Sequence, residues 1–219
     1  DGKVCFGASL VPWNPSYLWK VDEVTGDVDR DGCFRSEVAG VTLQGALLAS
    51  RQRIYVPQGR AAPLAFDWAS GNSLGAIGEA GGVFCVLTED EMLLAGPPNQ
   101  KSTSEQMRVA DARSQRRLAT FSGTNRILVS GKKAWIPSSG KLKMLDRSIY
   151  VDAQVAASQA NKIINDKKLQ DDQAKAIAKE NLAAAIKQQT AAWKWEVQCP
   201  NPRGFIKTSD SILVGLENQ

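Results

Sequence analysis

RIYVPQGRAAPLAFDWASG, residues 53–71, holds two strands and two turns. Residues 54–57 form the first strand, Gly59 and Arg60 turn the chain, residues 64–67 form the second, and Ser70-Gly71 close a tight turn. The aspartate that ends the second strand recurs in LWKVDEVTG (residues 18–26), RVADARSQ (108–115) and KMLDRSIY (143–150). Asp22, Asp67, Asp111 and Asp146 are therefore spaced by 45, 44 and 35 residues. Each follows an alternating apolar stretch, as a half-buried strand requires. The Thr-Gly or Ser-Gly that follows the first two is turn chemistry. The carboxylate accepts bonds from backbone N–H groups ahead of it, and glycine takes a positive φ.

A further strand precedes each aspartate: KVCFGAS (3–9), RIYVPQG (53–59), EMLLAGP (91–97) and KAWIPSSG (133–140), with SILVGLE (211–217) as a fifth copy. Upstream again lie ALLAS (46–50), VFCVLTE (83–89), NRILVS (125–130) and GFIKTS (204–209). Hairpins repeating about every forty residues match the blades of a propeller. A single hairpin cannot bury its faces, whereas stacked blades can. A β-sandwich with accidental spacing is the alternative, but three strand types keep one order in every repeat. The expected fold is all-β: a partial β-propeller of about four to five blades' worth of strands, with an α-helical hairpin inserted.

The pattern apolar–x–apolar–Asp–x–x–Thr–Gly, best preserved at Asp22-Glu23-Val24-Thr25-Gly26 and next at Asp67-Trp68-Ala69-Ser70-Gly71, resembles the repeats of the quinoprotein-like (PQQ-like) β-propeller family. The resemblance spans most of the chain outside residues 152–192. Family repeats usually carry a tryptophan about four residues after the Thr-Gly, docked on the neighbouring blade; here Arg30 and Gly75 hold those places. The resemblance implies an extracytoplasmic propeller. It also implies a competing reading, a quinoprotein-type oxidoreductase using PQQ and calcium. That chemistry would call for a vicinal Cys-Cys pair, which this sequence lacks.

Hydrophobic content of 43% and charged content of 23% are ordinary for a globular chain, and no apolar run is long enough to span a bilayer. The net charge of +4 sits on segments that read as solvated faces without interleaved aromatics, which argues against nucleic acid. Histidine is absent and no C-x-x-C occurs, so zinc, haem attachment and His-based nucleophilic catalysis are disfavoured. Cys5 and Cys85 read as small buried hydrophobes; a disulfide through Cys33 or Cys199 is open. The chain starts within a strand and stops just after the equivalent strand, as an excised piece of a longer repeat protein would.

The β pattern stops after Tyr150. A stretch without Gly or Pro, rich in Ala, Lys and Gln, predicts helices over about 152–166 and 171–193. Their apolar stripes run through Val155, Gln159 and Ile163, and through Ala174, Ile177 or Ala178, Leu182, Ala185 or Ile186 and Gln189. Strand character resumes at WKWEV (193–197). The expected division is therefore 1–151 blades, 152–192 helical hairpin, 193–219 return to the blade.

Candidate sites are few. Asp27, Asp29 and Asp31 begin a calcium-loop pattern, but its twelfth position is Val38 and Glu37 falls one short. Trp13, with Tyr17 and Trp19, forms either an exposed aromatic contact patch or a plug between blades. Arg60, on a turn, suits either an anionic group or a neighbouring carboxylate. No catalytic constellation emerges. The expected function is a non-catalytic scaffold without a cofactor, meeting protein partners through the helical hairpin and the loop face around Trp13, Tyr17 and Arg60.

Overall fold

A computed structural model describes residues 2–9, 15–59, 61–77, 81, 84–96, 106–124, 126–200 and 202–216. Its first sheet holds β1 (Lys3–Ala8), β2 (Ser16–Asp22) and β3 (Phe34–Val38). The second holds β4 (Leu48–Ala49), β5 (Arg53–Gln58), β6 (Ala61–Asp67) and β7 (Ser73–Ala76). The third holds β8 (Cys85–Leu87), β9 (Met92–Ala95), β10 (Gln106–Asp111) and β11 (Arg117–Ser122). In the fourth, β12 (Leu128–Ser130), β13 (Lys133–Ser138) and β14 (Lys141–Asp146) precede the helices α1 (Arg147–Ile164) and α2 (Asp172–Ala192), and β15 (Trp193–Gln198) completes the sheet. The pair β16 (Pro202–Lys207) and β17 (Ile212–Leu216) ends the chain's described part. Each four-stranded sheet runs in chain order. The protein is mostly β, a partial β-propeller with a helical hairpin inserted.

The repeated aspartate explains how successive strands connect. Asp22 Oδ1 accepts the N–H groups of Val24 and Thr25 at 3.1 and 3.0 Å, and Asp67 Oδ1 those of Ala69 and Ser70 at 3.1 and 2.8 Å. The backbones of Gly26 and Gly71 donate back to the carbonyls of Asp22 and Asp67 at 2.9 Å. Both glycines sit at positive φ, 71° and 72°. In the third copy Asp111 makes the same turn, but Gln115 occupies the glycine place at φ 61°.

The fourth copy converts that turn into a helix start. Asp146 Oδ1 accepts the N–H of Ile149 at 3.1 Å, capping α1. The helix therefore begins at Arg147, earlier than the composition shift at residue 152 indicates. Leu145 pairs with Trp193 as Phe66 pairs with Ser73, so residues 146–192 stand where the second sheet has residues 67–72. Asp171 caps α2 through the N–H of Ala174 at 2.9 Å.

Packing divides the chain into two units, Asp1–Thr103 with Ala110–Arg117, and Ser104–Val109 with Leu118–Gln219. In the first unit Leu18, Val38, Ile54, Val56 and Phe66 form one core cluster. A second gathers Tyr55, Ala65, Ile77, Leu93, Ala95, Ala110 and Ala112. Alternation along β5 sends Ile54 and Val56 to one cluster and Tyr55 to the other, so this sheet is buried on both faces. In the second unit Trp135, Leu142 and Cys199 centre a cluster with Met144, Phe205 and Val214. All four cysteines are free thiols. Burial raises Cys5 to about 11 and Cys85 to about 12, in keeping with partly buried strand positions.

Candidate interaction surfaces

Pleating sends alternate residues of the first sheet to opposite faces. One face is internal. Lys20, only 3% exposed, pairs across the strands with Cys5 on β1 and Phe34 on β3. Its ammonium donates to the Trp68 carbonyl at 2.5 Å and lies 4.5 Å from the Trp68 ring and 5.5 Å from Phe34. Desolvation lowers the Lys20 pKa, partly offset by the Asp67 carboxylate. Trp68, inside the turn after β6, therefore anchors the second sheet to the first.

The opposite face carries Val4 and Phe6 on β1, Tyr17, Trp19 and Val21 on β2, and Arg35 on β3. Phe6 and Trp19 are cross-strand partners with parallel rings, 6.2 Å between centroids and 4° between planes. The Arg35 guanidinium lies 5.1 Å from the Tyr17 centroid and 5.4 Å from that of Trp19. Val4 and Phe6 are 46% and 42% exposed. Cation–π contact and stacking thus fix four large side chains in one ladder on a rigid sheet, open to solvent.

Of the residues singled out from sequence, Tyr17 and Trp19 both lie on this ladder. Trp13 and Arg60 lie outside the described residues. Asp27, Asp29 and Asp31 lie exposed on the turn before β3, where Asp27 Oδ1 accepts the N–H of Asp29 at 2.9 Å. Among the described residues, no three acidic or thiol side chains gather as a metal ion would require. The acidic turn at Glu89, Asp90 and Glu91 is tied locally: Glu91 pairs with Arg113, and the Thr88 hydroxyl donates to Asp90 at 2.5 Å. Phe6 and Arg35 escaped sequence reading. The segment that becomes β3 follows an acidic turn and mixes charges with apolar residues, which masks its alternation.

The helical arm is docked at its root. The Gln154 amide accepts the N–H of Thr120 at 2.8 Å and donates to the Thr120 carbonyl at 2.9 Å, imitating a neighbouring strand along β11. Tyr150 stacks on Phe121 at 4.7 Å and meets Trp193 edge-on at 5.7 Å. The stripe joining α1 to α2 is built from small residues, with Ala153 and Ala160 buried on α1 and Ala178, Ala185 and Ala192 on α2. Where the sequence left Ile177 or Ala178, and Ala185 or Ile186, the alanines are inside; both isoleucines are about half exposed, as is Ile163. On α1 the buried residues are Arg147, Tyr150, Val151, Ala153 and Ala160, whereas Gln159 and Ile163 are exposed. Among the described residues, no helix is long and apolar enough to cross a membrane.

No family model matches the chain, and no curated protein is similar to it. Solved structures do resemble it. BamB from Moraxella catarrhalis shares 16% identity over 61% of this chain and 43% of its own, with a TM-score of 0.44. Kluyveromyces lactis Hsv2p shares 14% over 65% and 47%, with a TM-score of 0.43. A europium-containing methanol dehydrogenase shares 14% over 67% and 38%, also at 0.43. The chain spans less than half the length of each of these three proteins.

Proposed function

We infer that the protein is a non-catalytic β-propeller scaffold for protein–protein contact. The observation that carries this reading is the solvent-facing ladder of Phe6, Tyr17, Trp19 and Arg35. Trp, Tyr and Arg dominate the energetics of protein interfaces, and preorganised side chains lose little entropy on binding. A sheet face fixed on both sides by neighbouring strands holds them ready. The extracytoplasmic setting follows the resemblance of the repeats to PQQ-like propellers.

A photo-crosslinker scan in the cell that makes the protein tests this reading. The reactive residue replaces Phe6, Tyr17 or Trp19 in turn, with exposed Val24, Ile177 and Ile186 as comparison positions. The reading expects one discrete crosslinked protein from the ladder positions alone. Crosslinks only from Ile177 and Ile186 would move the contact to the helical arm, and none from any position would overturn the reading.

A further inference from the structure

The outer strand of a sheet presents a row of backbone groups open to pairing with another chain. The outer strands β3, β7, β11 and β15 differ in how that row is blunted. β3 carries Arg35 and Glu37, and β15 carries Lys194 and Glu196; charge on an edge opposes pairing. β7 is four residues long, has Gly75 at φ 87°, and shifts register against β6 between Ala65 and Phe66. β11 has none of these devices. Its residues 118–122 hold no charge, Gly or Pro, and Thr120 and Phe121 favour a strand.

What covers β11 is the root of the helical arm. In the earlier sheets the turn after the third strand leans on the outer strand of the sheet before it. Gly71 lies close against Phe34 and Ser36 of β3, and the Gln115 amide donates to the Leu74 carbonyl of β7 at 2.7 Å. The arm stands in that turn's place in the fourth sheet. Its Gln154 takes both backbone groups of Thr120, at 2.8 and 2.9 Å, as the peptide of a paired strand would. The same amide donates to the Tyr150 hydroxyl at 3.0 Å, and the Tyr150 ring stacks on Phe121. One amide, braced by a tyrosine, thus fills the middle of an otherwise unprotected edge.

We propose that the root of α1 keeps the chain apart from its own copies: with Gln154 and Tyr150 seated β11 is closed, and with the root lifted β11 pairs antiparallel with β11 of a second copy. The occupant is a second copy because an edge paired antiparallel with itself is self-complementary about a two-fold axis. Residues 118–122 also bring no like charges face to face in such a pair. The inference does not rest on the ladder.

Sedimentation velocity tests it on the wild-type chain, on Gln154→Ala, and on the Gln154→Ala, Ser122→Lys double variant, over one concentration series. Ser122 is exposed at the end of β11, so a lysine there charges the edge without disturbing the core. The proposal expects Gln154→Ala to self-associate about tenfold more strongly than the wild type, with amide exchange slowed across β11. Adding Ser122→Lys should return the variant to wild-type behaviour, which a purely structural role for Gln154 would not produce. Replacing residues 147–192 with WASGN bares the whole edge and should associate at least as strongly, and it decides the matter if Gln154→Ala does not fold. Variants that associate no more than the wild type would overturn the proposal. So would association that Ser122→Lys leaves unchanged, or that leaves β11 exchange unprotected.

Discussion

At the scale of single residues, the turn after each third strand carries the most information. Gly26 and Gly71 hold the same positive φ in different surroundings. A Cβ on Gly26 would meet nothing within 4 Å, whereas one on Gly71 would overlap the Phe34 ring and the Ser36 hydroxyl. Gly26→Ala should cost about 1 kcal/mol, the left-handed penalty alone. Gly71→Ala should cost a further 1–3 kcal/mol or so from overpacking. Urea midpoints give the comparison, and equal losses would contradict it. The Asp22 carboxyl is held at about 2, first by the Thr25 N–H and then by the Lys3 ammonium. An unfolded aspartate titrates near 3.9. The folded value lies below it, so the stabilisation is complete above about pH 4 and is lost as pH falls through about 2. Asp22→Asn should therefore shrink the drop in Tm between pH 6 and pH 2; an unchanged drop would show the turn carboxylate to be unlinked to folding. These turns were legible in sequence because Asp followed by Thr-Gly has few alternative uses. The Lys20–Trp68 anchor was not, because no local pattern reveals which residue a distant lysine will meet.

At the scale of elements, the helical hairpin shows how an insertion joins a sheet. It occupies a turn whose first residue already serves as a cap, so strand pairing on either side is undisturbed. Replacing residues 147–192 with the turn WASGN, taken from residues 68–72, should leave β14 and β15 paired, with far-UV circular dichroism losing helix alone. Loss of the β signal as well would mean the arm is needed to form the sheet. The arm's root also shields β11. Gln154→Leu strips partners from the N–H and carbonyl of Thr120, a loss of about 1–3 kcal/mol measurable by urea unfolding. A neutral result would mean that water or another group takes over that edge. The three strand types named from sequence all form, yet the outer strands β3, β7 and β11 went unread. Edge strands face solvent on more sides and so lack a clean apolar alternation, as in SLGA of β7, exposed throughout. The hairpin's inner stripe was readable only to within one residue, because Ala and Ile compete for the seam and close helix packing selects the smaller.

At the scale of the whole molecule, repetition fixes the architecture and leaves chemistry open. Fold alone does not select a function. The ladder of Phe6, Tyr17, Trp19 and Arg35, on which the proposed scaffold role rests, lies on a sheet face rather than on a loop. Tyr17 could be named from sequence as part of an aromatic cluster, but its alignment with Phe6 and Arg35 depends on the register of three strands.

The most direct measurement is the affinity of the crosslinked partner, once isolated, for the wild-type chain and for Trp19→Ala. The side chain is only partly exposed but lies outside the core clusters, so the sheet should keep its circular dichroism. The scaffold account expects binding to weaken by roughly thirtyfold or more, as for a central interface residue worth about 2 kcal/mol. Unchanged affinity in a folded Trp19→Ala protein would contradict it.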